Sequence, residues 1–198
     1  MNTTLQRAIV LSLLVLLMAA TRSHVFTHFT PVPDASWAVF LVGGFYLRQW
    51  ARWAFPALMA LAVAIDVAVI RGQGMELASH YCMSAGYWML VPAHAAMWLA
   101  GHWLRGRYTG ADLGALARLA AVLVPATAAC HFFAQGGFYW MSPVVAEPTV
   151  AGWAANYGHW FLPYLGATAM FVALAAAAQA VSEAVAGHAA AGRRHGHR

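Results

Sequence analysis

The sequence contains no lysine and few charged residues of any kind. Charged residues make up 9% of its 198 residues and hydrophobic residues 62%, with a mean hydropathy of +0.62. Because a soluble domain carries roughly 25% charged residues, this composition excludes a soluble globular protein and indicates an integral membrane protein. At about 20 residues per membrane-spanning helix, the chain has room for about six such helices and no separate soluble domain.

The sequence motifs of several enzyme classes are also missing. The chain has no Walker-type glycine loop, no G-x-S-x-G, no H-E-x-x-H and no C-x-x-C. It therefore has no ATPase of its own and no recognisable hydrolase site. Its two cysteines, Cys82 and Cys130, are too few for a disulfide framework. A single bridge between them is the alternative, and we expect free thiols.

The net charge of +5 comes entirely from arginine. Arginines in short loops between apolar runs indicate the orientation of a chain in the membrane rather than a nucleic-acid partner. With the N-terminus inside, the outer side holds only Arg22 and Arg71. The inner side holds Arg7, Arg48, Arg52, Arg105, Arg107, Arg193, Arg194 and Arg198. This pattern predicts that both termini are cytoplasmic and that the partner is the lipid bilayer, not nucleic acid.

We therefore predict an all-α integral membrane protein with six transmembrane helices. One transmembrane domain is expected over residues 1–184, followed by a basic, histidine-containing cytoplasmic tail over residues 185–198. The predicted spans cover residues 5–20, 35–47, 54–70, 83–103, 113–133 and 155–180. A signal peptide is the alternative for the first span, since its apolar core ends in small residues.

Three local features complete this prediction. Gly43 and Gly44 in the second span allow close contact between helices, and Asp112 is expected to cap the start of the fifth span. The stretch 134–154 is aromatic and rich in glycine and proline, and it predicts an outer loop.

The predicted outer face collects far more polar side chains than the inner face. Its members are His24, His28, Asp34, Asp66, His80, Tyr81, Cys82, Tyr87, His131, Gln135, Tyr139, Trp140, Trp153, Asn156, Tyr157 and His159. Asp66 lies inside an apolar span, where a carboxylate is costly and usually faces the bundle interior or a cavity. The alternative for Asp66 is a structural pairing with a histidine or tyrosine of a neighbouring helix.

The stretch 79–87 places a thiol, an imidazole and two phenols between two apolar segments. Cys82 lies at the N-terminal end of the predicted fourth span, where the helix dipole lowers a thiol pKa and favours the thiolate. A thiolate is a soft ligand suited to a transition metal. The alternative for Cys82 is a small apolar residue at a helix start, and we favour that structural role for Cys130.

Several stretches resemble the BtuM-type vitamin B12 proteins, which are substrate-binding S-components of energy-coupling-factor (ECF) transporters. The similarity covers roughly residues 5–180 and is most specific around Cys82. Its motifs lie at residues 33–40, 44–47 and 55–60, at Asp66, and at Tyr81, Cys82 and Tyr87 ahead of residues 90–93.

The resemblance implies a six-helix S-component in a bacterial cytoplasmic membrane, with an outward-facing pocket that takes up cobalamin as its bound substrate. It implies that Cys82 is the axial ligand of the cobalt. We further expect Cys82 to remove cyanide from cyanocobalamin, which makes it the reactive residue as well. The expected pocket residues are His28, Asp66, Tyr81, Cys82, Tyr87, Tyr139 and Trp140.

The sequence departs from the family pattern in its first helix. S-components usually carry an A-x-x-x-A motif there for docking the transmembrane coupling subunit, and the nearest match here runs from Ala8 to Ser12. Two possibilities stay open: transport is energised by a coupling subunit and ATPases, or the protein functions alone. A haem-binding membrane oxidoreductase using His28, His94, His131 or His159 as axial ligands is the alternative function, and a structural or assembly protein of the membrane is another.

Overall fold

The computed structural model describes residues 3–23, 32–77, 80 and 83–195, with side chains as far as residue 189. This part of the chain is helical and contains no β-strand. Its α-helices are α1 Thr4–Arg22, α2 Ser36–Tyr46, α3 Ala51–Gly72, α4 Leu90–Gly106, α5 Leu113–Met141 and α6 Val150–His195. Two 3₁₀ helices, Arg48–Trp50 and Ala85–Met89, lead into α3 and α4.

Four helical segments in the described residues are long and apolar enough to cross a membrane: Thr4–Arg22, Arg48–Gly72, Leu113–Met141 and Val150–Ala189. Large apolar side chains such as Leu13, Leu116 and Leu174 are more than half exposed on their surfaces, as expected of side chains that face lipid. This confirms an all-helical membrane protein. Helices α2 and α4, with 11 and 17 residues, are shorter than an ordinary span, so six spans remain a prediction.

The prediction of a loop over residues 134–154 is wrong at both ends, because α5 continues to Met141 and α6 begins at Val150. The glycines that suggested a loop serve helix packing instead. A Cβ at Gly137 would lie 2.5 Å from the Cβ of Met89 and 2.7 Å from the carbonyl oxygen of Gly86. The start of α5 is as predicted, since the Asp112 carboxylate accepts a hydrogen bond of 2.6 Å from the Ala115 N–H. Helix α4 begins at Leu90 rather than near residue 83. The predicted position of Cys82 at the N-terminal end of this helix is therefore wrong, and the dipole of α4 does not favour its thiolate.

Helix α6 is longer than the sequence suggested. Its 46 residues correspond to about 69 Å at 1.5 Å per residue, which exceeds the thickness of a bilayer. The predicted boundary at residue 184 therefore lies inside a continuous helix. Glu183 fixes this region to the α4–α5 connection by accepting hydrogen bonds from Tyr108 at 2.8 Å and from the Ala111 N–H at 2.9 Å.

Helices α2 and α4 pack closely against each other, and glycines make this contact possible. A Cβ at Gly44 would collide with the carbonyl oxygen of Trp98, and one at Gly101 with the carbonyl oxygen of Leu41. A Cβ at Gly43 would lie 2.7 Å from the Trp98 ring. The predicted close contact at Gly43 and Gly44 is thus confirmed, and backbone lies directly against backbone.

Alanine at Gly44 or Gly101 is expected to force these helices apart and to lower the free energy of unfolding by about 1–3 kcal/mol. The matched control is Gly166→Ala on α6, where a Cβ meets nothing within 4 Å. Thermal unfolding in detergent, followed by tryptophan fluorescence, measures the difference. Equal stability of Gly44→Ala and Gly166→Ala would contradict the close α2–α4 contact.

Candidate functional site

A cavity of about 600 Å³ lies at the end of the bundle opposite to Arg48 and Arg105. The C-terminal parts of α1, α3 and α5, the start of α6 and the 3₁₀ helix before α4 surround it. The side chains that line it are Arg22, Asp34, Trp37, Asp66, Val69, Ile70, Gln73, His80, Tyr87, Leu90, His131, Ala134, Gln135, Phe138, Tyr139, Ser142, Val144, Val145, Asn156, Trp160 and Tyr164. Its volume is typical of a small-molecule site.

An ion pair between Arg22 and Asp66 forms one wall of the cavity. The Arg22 Nε and Nη2 atoms donate to the two Asp66 carboxylate oxygens at 2.7 and 2.6 Å. The side chains are only 13% and 19% exposed. Such a paired fork is the strongest geometry for an arginine and a carboxylate. Asp66 therefore faces the bundle interior, as predicted.

Further polar contacts join four parts of the chain at this ion pair. Arg22 Nη1 also donates to Asp34 and to Ser36 Oγ, both at 3.1 Å, and the Tyr87 hydroxyl donates to Asp66 Oδ2 at 2.7 Å. Asp34 accepts from the Ser36 N–H at 2.9 Å, which satisfies a free donor at the start of α2. The cluster thus fixes α1, α2, α3 and the 3₁₀ helix relative to one another.

Aromatic rings form the wall on the other side of the cavity. Trp37 of α2 stacks on Tyr164 of α6, with ring centroids 4.7 Å apart. The His131 ring on α5 lies 5.3 Å from the Tyr164 ring, and its Nε2 is 3.1 Å from the carbonyl oxygen of Tyr157. The cavity therefore has an ionic wall and an aromatic wall, a combination that suits a large ligand with an apolar ring and polar substituents.

The structure brings three of the predicted pocket residues together. Asp66, Tyr87 and Tyr139 line the same cavity. Trp140 does not line it; this side chain is 43% exposed and packs edge-on against Tyr139. The remaining predicted residues, His28, Tyr81 and Cys82, lie outside the described residues. His80, two positions before Cys82 in the sequence, lines the cavity.

Arg22 was not predicted as a site residue, and its charge was used only to predict the orientation in the membrane. The signal that points to it is the pairing requirement of Asp66, since an acid inside a span needs a cation or donor nearby. Trp37 and Tyr164 were missed as well. Both lie in apolar runs, where an aromatic side chain at a cavity has the same sequence signature as one that faces lipid.

The three described histidines among those considered as axial ligands do not gather at one place, and His28 lies outside the described residues. His94 is fully buried, stacks on Phe40 with ring centroids 4.2 Å apart, and does not line the cavity. His131 lines the cavity, whereas His159 is exposed and packs edge-on against Trp160. Among the described residues, no group of three or more histidine, cysteine or acidic side chains is arranged to hold a metal ion. Cys130 is a fully buried free thiol, consistent with a structural role.

A larger cavity of about 780 Å³ lies near the arginine-rich end, between α2, α5 and α6. Alanine and leucine side chains make up most of its lining, with Tyr46, Arg118 and Gln179 among the few polar ones. An apolar gap between helices that face lipid is suited to hydrocarbon. The smaller cavity, which carries the buried charges, is therefore the candidate site.

These features define a helical membrane protein with a polar, aromatic-walled cavity at one end of its bundle. No known family model matches the chain, and no curated protein matches it. The similarity to BtuM-type proteins thus stays a prediction from the sequence motifs.

Proposed function

We propose that the protein binds a corrinoid of the cobalamin type and takes it up across the bacterial cytoplasmic membrane as an S-component. The observation that carries the proposal is the cavity that Asp66, Tyr87 and Tyr139 line together. Three residues expected in the pocket from separate parts of the sequence thus meet at one place. His80 lines the same cavity and is separated from Cys82 by one residue in the sequence.

The cavity is smaller than a whole cobalamin, so only one face of the corrin ring is proposed to enter it. Trp37, Tyr139 and Tyr164 supply apolar surface for the macrocycle, and the opposite face of the ring points toward the outer surface. Cys82 lies outside the described residues, and we propose that its thiolate supplies the sulfur ligand of the cobalt. Arg22 and Asp66 keep the ionic wall fixed, so little ordering is needed when the ligand enters.

The chemistry of the cavity favours a corrinoid over haem. Haem carries carboxylate substituents, which need a cation or several N–H donors. Among the described residues, Arg22 is the arginine that lines the cavity, and its guanidinium is already held by Asp34 and Asp66. An added carboxylate would meet two like charges beside that one cation. The substituents of a corrinoid are mainly neutral amides, which avoid this repulsion.

Ligation by Cys82 has a consequence for cyanocobalamin. When the thiolate sulfur donates its electron pair to cobalt, cyanide leaves with its own electron pair and cobalt keeps its oxidation state. The released cyanide takes up a proton in water. The proposal therefore includes removal of the cyanide ligand in addition to binding.

Inward release requires the outer cavity to close and a path to the cytoplasm to open. The proposed partner is an energising module with a transmembrane coupling subunit and ATPases. The chain contains no nucleotide-binding loop of its own. Solitary function stays the alternative, because the docking motif on the first helix is only a small-x-x-x-small pattern.

Val69→Trp tests whether the cavity is the corrinoid site. Val69 on α3 lines the cavity, whereas Val63 on the same helix is 37% exposed and does not line it. We expect Val69→Trp to weaken cobalamin binding roughly 10–100-fold, a loss of about 1.4–2.8 kcal/mol. Val63→Trp serves as the control and should bind like the wild type.

Binding is measured by titrating the detergent-purified protein with hydroxocobalamin and following the visible spectrum. A wild-type protein with no affinity for cobalamin would disprove the proposed function. Equal binding by Val69→Trp and Val63→Trp would show that the corrinoid binds elsewhere.

A further inference from the structure

The wall of the candidate site contains a buried side-chain amide. Both amide atoms of Gln135 on α5 are buried, and neither has a hydrogen-bond partner among the described residues. Gln135 lines the cavity. Because a buried amide without hydrogen bonds is costly, this group is a candidate contact for the polar part of a ligand.

Two further neutral polar side chains, Trp153 and Asn156, lie on the part of α6 beside this region of α5. The indole Nε1 of Trp153 is buried without a partner in the described part, and it lies 3.7 Å from the position of a Cβ at Gly136. Asn156, one turn further along α6, lines the same cavity and carries a second carboxamide. The α5–α6 side of the cavity thus presents neutral groups that donate and accept hydrogen bonds, in contrast to the ionic wall at Arg22.

The type of these groups indicates the ligand chemistry. A glutamine or asparagine side chain has an N–H₂ donor beside a carbonyl acceptor, and a primary carboxamide on a ligand matches both at once. A carboxylate or phosphate could use only the donor. It would also add negative charge near Asp34 and Asp66, which line the same cavity.

We propose that this cavity recognises primary carboxamide groups on its ligand, with Gln135 as the main contact and Asn156 as a second one. The inference rests on the proposed function, because a corrin ring carries primary carboxamides around its edge. It adds the determinant of specificity: Gln135 distinguishes an intact ring amide from a ring acid of the same size.

The test compares cobalamin with its monocarboxylic acids, in each of which one ring amide is hydrolysed to a carboxylate. Spectroscopic titration of the purified full-length chain gives the Kd of each ligand. We expect at least one monocarboxylic acid to bind the wild type about 10-fold or more weakly than cobalamin, the size of a lost hydrogen bond to a buried group.

Gln135→Leu should weaken cobalamin and reduce this discrimination toward 1, because the contact that senses the amide is gone. Gln135→Glu keeps the shape of the side chain but replaces the donor with a charged acceptor. It can still accept a hydrogen bond from a ligand amide but repels a ligand carboxylate, so it should increase the discrimination. The ratio of two Kd values is the readout because a variant that merely disturbs folding weakens both ligands alike.

Different results would disprove the proposed function and the carboxamide inference. If wild-type protein binds no cobalamin, the proposed function is wrong, and the carboxamide inference fails with it. If wild-type protein binds cobalamin and every monocarboxylic acid equally, only the carboxamide inference is wrong. Discrimination that persists unchanged in both Gln135 variants would likewise overturn the assignment to Gln135.

Discussion

Cys82→Ala is expected to abolish the spectral change that hydroxocobalamin undergoes on binding. It should also weaken the affinity for hydroxocobalamin by more than roughly 10–100-fold, which is the usual cost of removing a residue that only supports a metal ligand. The reason is that the variant loses the proposed sulfur–cobalt bond itself. With cyanocobalamin, wild-type protein should alter the spectrum as cyanide leaves, and Cys82→Ala should not. The measurement is a visible spectrum of detergent-purified protein with each ligand.

Cys130→Ala is the matched control for this experiment. Cys130 is the other cysteine of the chain, is fully buried and does not line the cavity. Its replacement should leave the spectrum of the bound corrinoid unchanged. An unchanged cyanocobalamin spectrum with wild-type protein, or an equal change with Cys82→Ala, would disprove the cyanide reaction. A Soret band in the protein as purified would instead support the haem alternative.

Arg22→Met is expected to lower the free energy of unfolding by about 3 kcal/mol, because it leaves a partly buried carboxylate without its cation. Asp66 is 19% exposed and accepts hydrogen bonds from Nε and Nη2 of the Arg22 guanidinium. The double variant Arg22→Met with Asp66→Leu should regain part of this loss, since an apolar pair has no charge to desolvate. Chemical or thermal unfolding in detergent measures all three proteins.

Arg118→Met provides the control for Arg22→Met. Arg118 lies 3.9 Å from Asp112, with side chains 38% and 60% exposed, so its removal should cost less than about 1 kcal/mol. If Arg22→Met and Arg118→Met have the same stability, the Arg22–Asp66 pair does not hold the four elements together. A double variant less stable than Arg22→Met would contradict the assumed cost of the unpaired carboxylate.

The described fold follows the sequence pattern where one local property decides it. The long apolar runs predicted helices that face lipid, and the structure has four helices of that length and composition. Asp112 was expected to cap α5, and it does so because a side-chain oxygen next to free N–H groups needs no distant partner. Gly43 and Gly44 indicated close packing because a missing side chain permits contact with any neighbouring helix.

Predictions based on turn residues were less successful. Gly136 and Gly137 suggested a loop, yet both lie inside α5. A glycine has the same sequence signature in a turn and in a tight helix contact, and only the neighbour decides between them. Gly137 lies against Gly86 and Met89, more than forty residues earlier in the sequence. A local pattern contains no information about such a partner.

The sequence by itself determined the environment of this protein, its helical class and the apolar runs that form its spans, because these depend on composition and on properties of single segments. Tertiary structure alone decided that Arg22 pairs with Asp66 and that Asp66, Tyr87 and Tyr139 line one cavity. It also left the amide of Gln135 at that cavity without a partner in the described chain. Those facts depend on the positions of several helices at once. A charge or an amide inside a membrane protein pairs with whichever segment the packing brings within hydrogen-bond distance.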